Sequence, residues 1–324
     1  MKARSLQDSK LMDFALDNKA LIILFVLTIF SAFASPVFFT STNLINVIRQ
    51  ISTIAIMGIG FTCILASGNM DLSVGSLLGM LGVIMAMLSK VIPLPAALLI
   101  GLIIGALCGA TNAVIGVYLR MPLFIVTLAM GQVFRGIAFL LSNTSPITGL
   151  PAGFRFIGQG YMGFIPIPIV ITAVVGVIVW ILLNKTIFGR HAIATGGNRE
   201  AARTSGINVN RTTILVYMLM GVCAGIAAAV MTGRTASAQH IAGQGMEMDA
   251  IAAVVIGGTQ LGGGSGKIVG TLFGCMIVGV IANILNLMGV DSNWQLVAKG
   301  ALILFAVGLD VVTTTYINTK MRKA

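Results

Sequence analysis

The stretch IVITAVVGVIVWILL, residues 169–183, contains no charged residue and no proline. With its flanks it reaches the roughly 17–25 apolar residues that an α-helix needs to cross a hydrocarbon core about 30 Å thick. A membrane barrel strand would alternate apolar and polar residues over about ten positions, whereas this run is apolar on every side. Runs of the same kind recur along the chain, so the reading is an all-α fold: a polytopic transmembrane helical bundle.

Composition agrees. Of 324 residues, 57% are hydrophobic and 9% charged, against about 25% charged in soluble domains. A water-exposed surface cannot be built from that. The net charge of +11 does not point to nucleic acid, because the basic residues flank apolar runs and form no groove-reading or base-stacking face. Cys63, Cys108, Cys223 and Cys275 sit singly within apolar runs, which is the placement of small core residues rather than of a metal site or disulfide framework. No metal or cofactor is expected. Near the N-terminus LIILFVLTIF followed by Ala32-Phe33-Ala34 imitates a secretory signal. Asp8, Asp13 and Asp17 and the length of the leading segment favour an uncleaved first span.

Apolar runs and polar breaks predict about ten spans, with short or broken segments and a short eighth, near 20–39, 51–67, 74–92, 95–118, 123–142, 167–184, 212–232, 248–261, 268–288 and 295–315. The organisation expected is a cytoplasmic tail over 1–20, one transmembrane domain over 20–315 with a cytoplasmic loop at 185–211, and a cytoplasmic tail over 316–324. Fourteen lysines and arginines then fall on the side of both termini, among them Arg120, Lys185, Arg190, Arg199, Arg203, Arg211 and Lys267. Four (Arg49, Lys90, Arg155 and Arg234) fall on the other. That asymmetry puts both termini and the 185–211 loop inside.

Glycines within spans, such as Gly101, Gly105 and Gly109 or Gly270, Gly274 and Gly279, are read as close helix-packing positions. SGNMDLSVGS at 67–76 and GGTQLGGGSGK at 257–267 break helices instead. Such backbone must be buried in protein or line a wet cavity. GGGSGK at 262–267 imitates a phosphate loop, but Leu261 stands where the first glycine belongs and Ile268 where Ser or Thr would hold magnesium. It is read as a tight inner turn.

His191 and His240, the two histidines, lie on opposite sides in this topology and cannot share a metal or a relay. Charge within or near spans is sparse: Asp71, Arg135, Asp249, Lys299 and Asp310. An ion-coupled transporter places carboxylates or histidines near the midplane, whereas Asp71, Asp249 and Asp310 fall near span ends and read as snorkels or helix caps. Arg135 lies deep enough to need a partner, a helix-end carbonyl or a carboxylate from a neighbouring helix, in structural pairing or else in contact with substrate.

The 185–211 loop is the anomaly of an otherwise apolar chain. NREAARTS at 198–205 predicts a short helix, with Asn198 as N-cap, Glu200 in the first turn and Gly206 as stop. It is either a docking knob or a solvated linker.

Four stretches in order, SGNMDLSVGSLLG (67–79), LFIVTLAMGQVFRGIAFLLSN (123–143), FGRHAIATGGNREAARTSGINVNR (188–211) and GMEMDAIAAVVIGGTQLGGGSGKIVGTLFG (245–274), resemble the permease subunits of bacterial ABC importers for monosaccharides, the ribose, xylose and galactose group. The chain departs mildly at Gly68-Asn69-Met70-Asp71 and at Thr259-Gln260-Leu261-Gly262-Gly263, where Gly-Gly-Ile-Asp and Ser-Leu-Ala-Gly-Gly types are usual. The resemblance implies a subunit of the bacterial inner membrane that is not itself an enzyme. It also implies a cytoplasmic ATP-binding subunit, a periplasmic sugar-binding protein, and a second permease chain, identical or a close paralogue. Under it the polar block is the coupling loop, with Asn198, Glu200, Ala201, Ala202, Arg203, Ser205 and Gly206 assigned to the contact.

A neutral sugar needs hydroxyl and amide partners rather than fixed ions. Asn69, Asn112, Gln132, Asn283 and Asn286, each in or beside a span, are candidates for the path, with interhelical hydrogen bonding as the alternative for each. The competing functions are a branched-chain amino acid permease of the same superfamily and a stand-alone secondary transporter.

Overall fold

A computed structural model describes residues 19–291, 293–301, 304 and 308. The expected tails, the greater part of the expected tenth span and Asp310 lie outside the described residues.

The described chain is helical apart from turns and one small hairpin. In order it forms α1 (Lys19–Ala34), α2 (Ser41–Ala66), α3 (Val74–Leu88), α4 (Leu94–Tyr118), α5 (Leu123–Ser142), α6 (Ala152–Gln159), β1 (Tyr161–Met162), β2 (Ile165–Pro166), α7 (Ile167–Lys185), α8 (Ile187–Gly197), α9 (Arg199–Thr204), α10 (Val209–Thr235), α11 (Met246–Ile256) and α12 (Ile268–Leu287).

The expectation of ten spans is corrected. Among the described residues six helices are long and apolar enough to cross a membrane: α2, α4, α5, α7, α10 and α12. The expected first, third and eighth spans become helices of 16, 15 and 11 residues. At 1.5 Å per residue these rise about 24, 22 and 16 Å, short of a hydrocarbon core of about 30 Å. The apolar runs are real, but the helices stop within them. α1 ends at Ala34, two residues before Pro36. α11 is entered through Gly243 and Gly245, both at positive φ, and left through Gly257 and Gly258, the latter also at positive φ.

α2 and α10 run through the middle of the bundle. Ile56, Met57, Ile59, Phe61, Ile64 and Leu65 of α2 and Tyr217, Met220, Cys223 and Ala227 of α10 are almost fully buried in one core. α10 lies so close to α4 that a Cβ on Gly221 would stand 1.9 Å from the Gly105 carbonyl oxygen, and one on Gly109 would stand 2.1 Å from that of Tyr217. α12 meets α11 in the same way, with Gly274 against Ala253 and Gly270 against Gly257. Dispersion grows with such approach, and in lipid it must hold helices together without a hydrophobic driving force. Polar cross-links add to it. Asn43 and Asn283 exchange amide hydrogen bonds of 3.1 and 2.9 Å between α2 and α12. Lys299 pairs with Asp249 of α11 at 2.8 Å, the one ion pair among the described residues.

Candidate functional site

The polar block is more helical than its composition suggests. Thr186 accepts from the Gly189 amide and opens α8, which occupies the block's first half. Sequence reasoning overlooked α8, although a Thr cap at 186 and the Gly196-Gly197 stop frame it. Asn198 then turns the chain with extended backbone, and its Oδ1 accepts from the Ala201 amide at 2.9 Å, capping α9. Glu200 sits in the first turn of α9 and Arg203 in the last. Ser205 donates its amide to the Ala201 carbonyl, and Gly206 at φ +85° lets Ile207 donate to the Ala202 carbonyl at 3.0 Å. A short helix closed at both ends in this way has terminal amides and carbonyls satisfied from within the chain.

The residues of α9 do not share one surface. Ala202 is buried, whereas Arg199, Glu200, Arg203 and Gly206 line a groove of about 810 Å³ between α9 and the end of α4.

α8 ends in a glycine junction. A Cβ on Gly196 would lie 2.0 Å from the Ala66 carbonyl oxygen at the end of α2 and 2.8 Å from the Gly264 nitrogen. Gly264 donates to that Ala66 carbonyl at 3.0 Å, and Gly263, at φ +85°, lies against Gly196. Three segments therefore meet backbone to backbone: the end of α8, the turn after α2 and the 262–264 loop. Lys267 donates its amide to Thr259 Oγ1 at 3.0 Å, and the loop is the tight turn its sequence predicts.

Beyond the junction, the 67–73 turn is held by a buried polar network. Asp71 accepts from the amide and hydroxyl of Ser73 at 2.9 and 2.6 Å, at the start of α3. Tyr217 donates to the Met70 carbonyl at 2.6 Å, and the Leu72 amide donates to Thr127. Two of the expected path residues belong here. Asn69 donates to the Ser67 carbonyl and hydroxyl, both at 3.0 Å, and Asn112 donates to Ser73 Oγ at 2.9 Å while its Oδ1 lacks a protein partner. Asn283 is paired with Asn43 as described, away from this network. Gln132 and Asn286 are exposed side chains on α5 and α12.

Arg135 has backbone partners, donating to the carbonyls of His240 and, at 2.9 Å, of Ala242. It clamps the coil 236–245 onto α3, where Gly75 and Gly243 meet so closely that a Cβ on either would fall 2.2–2.3 Å from the other's carbonyl oxygen. No group of three or more potential metal ligands occurs among the described residues.

A bundle with six membrane-length helices, polar groups spent on internal cross-links and one capped helical loop at its end defines a multi-pass membrane protein. The chain belongs to the family described as the branched-chain amino acid transport system / permease component, which matches residues 43–307. It is 44% identical to the ribose import permease protein of Bacillus subtilis, over 89% of this chain and 90% of that one. The ribose import permease protein of Escherichia coli K12 is 42% identical over 91% and 94%, and that organism's D-allose transport system permease protein 37% over 89% of each. No solved structure matches the chain. The resemblance read from the four motifs therefore holds: the chain is a permease subunit of the ABC-importer kind, a transport component rather than an enzyme.

Proposed function

We propose that this chain forms the translocation path of a bacterial monosaccharide importer. It would sit in the inner membrane, take its cargo from a periplasmic binding protein and be driven by a cytoplasmic ATP-binding subunit. One observation carries the proposal: the similarity to ribose import permeases runs over nine-tenths of both chains. Relatives named for two other sugars, allose and fructose, favour this cargo class over branched-chain amino acids.

In this reading α8 and α9 form the cytoplasmic coupling element. Its support is geometric: a helix capped at both ends offers a rigid contact, and α8 passes directly to the turn after α2 through the Gly196 junction. A push on α9 would thus reach the 67–73 turn and the start of α3 without an elastic side-chain layer between. Asn198, Glu200, Ala201 and Ser205 would meet the ATP-binding subunit, with Arg203 and Gly206 at the edge of the contact and Ala202 anchoring the helix from behind. On the path, Gln132 and Asn286 would meet the sugar's hydroxyls, their amides being exposed. Asn69, Asn112 and Asn283 would shape the path through the bonds they already make.

Reconstitution tests the function. The purified chain in vesicles should show neither ATP hydrolysis nor sugar flux, and should gain both with its two partners. Robust concentration-driven flux by this chain alone would refute the proposal.

A further inference from the structure

The groove between α9 and α4 is basic, and its cations are unpaired. Arg120, Arg199 and Arg203 line it with Glu200 as the one carboxylate, and none of the four forms an ion pair with any described residue. Arg199 and Arg203 stand one turn apart on α9, so both guanidinium groups can address one bound group.

Arg120 follows the C-cap of α4 in left-handed backbone, φ +56°. Glycine occupies that conformation most easily and a long side chain is disfavoured there. The Met121 amide donates back to the Gly116 carbonyl at 3.0 Å and fixes the turn. A strained arginine beside two free ones points to a use for its charge.

The groove also lies at the lipid boundary. Tyr118 in its wall is 67% exposed and Leu119 beside it 66%, and Phe124 in the first turn of α5 is half-exposed. Exposed apolar side chains at the end of a membrane-length helix face acyl chains, and an aromatic there marks headgroup depth. Phosphate suits the cations, since guanidinium binds its oxygens in bidentate fashion.

We propose that this groove binds the phosphate of an anionic phospholipid of the inner leaflet, whose acyl chains lie along α4 and α5 while its headgroup bridges α4 to α9. The bound lipid would tie the coupling helix to the bundle edge. The inference takes the side on which Arg120, the 185–211 block and the 262–267 loop gather as the inner one, by its basic residues, and depends on neither the cargo nor the coupling role.

The test is lipid retention by the full-length purified permease in native mass spectrometry, with phosphatidylglycerol and phosphatidylcholine offered together. The parent should prefer phosphatidylglycerol about tenfold, the equivalent of one good charge-assisted contact. Arg203→Gln and Arg120→Gly should abolish that preference, and the glycine variant relieves backbone strain, so failure to fold cannot explain its loss. Arg190→Gln, outside the groove, should keep it. An unchanged preference in Arg120→Gly and Arg203→Gln would overturn the proposal. So would displacement of the lipid by millimolar inorganic phosphate as readily as by phosphatidylglycerol, which would make free phosphate the ligand. A third overturning result is intact lipid preference with lost recovery of the ATP-binding subunit, which would assign the groove to acidic groups of that partner. The readout needs the permease alone, so failure of the importer reading would appear separately, as absent ATP-driven uptake.

Discussion

Glu200 shows how little a single side chain needs to weigh in the fold to matter in the machine. In the first turn of α9 its carboxylate gains about 0.3–1 kcal/mol from the helix dipole, which an arginine would forfeit. That is too small to unfold a bundle of this size. At a docked interface a reversed charge leaves its partner unpaired, at about 2–5 kcal/mol. Glu200→Arg should therefore reach the membrane at normal levels, lose most uptake and recover the ATP-binding subunit poorly in pull-down; parental transport would make α9 a linker. Gly196 carries the opposite weight. A side chain there meets backbone at 2.0 Å, so Gly196→Val should cost on the order of 1–3 kcal/mol and lower thermal stability in detergent along with uptake. The cap at Asn198 and the stop at Gly206 were legible from residue type alone. A carbonyl was one of the two kinds of partner open to Arg135, but which carbonyls it meets, those of His240 and Ala242, was not legible, because a carbonyl has no signature in sequence.

Elements were less legible than residues. Hydropathy reports where apolar side chains lie, and in this chain three apolar runs continue past the ends of their helices. α3 and α11 are buried on nearly all sides, so they read as spans although they are short helices next to coil. The glycines at 243, 245, 257 and 258 decide where α11 stops, and their positive φ values at three of the four are visible only in the fold. The meeting of coil 236–245 with α3 is a sharp place to test this. Gly75→Val would set a Cβ 2.1–2.2 Å from Glu247 Oε2 and the Gly243 carbonyl. It should cost about 3 kcal/mol or more by overpacking, and fluorescence-detected size exclusion should show loss of the monodisperse peak. A parental profile would mean that coil 236–245 can move off α3 freely.

For the whole molecule, the side chain that argues for a second copy is Gln132. It is the tenth of the 20 residues of α5 and is exposed, so it lies about 15 Å from either end of a membrane-length helix. A carboxamide facing acyl chains has no hydrogen-bond partner, at a cost of about 4–8 kcal/mol on an alkane scale. Lipid is therefore a poor neighbour for this face, and a second chain or a wet path bounded by one is a good neighbour. Each chain also offers one α9, and two ATP-binding subunits closing on each other would need two. The detergent-solubilised complex should accordingly contain two permease chains by mass, and a single chain per complex would break the argument. Gln132→Leu separates contact from path. If the amide meets the sugar, the mass stays at two chains while uptake falls by about tenfold, the worth of one hydrogen bond of roughly 1.4 kcal/mol. If the amide instead holds the copies together, the variant shifts the complex toward single chains.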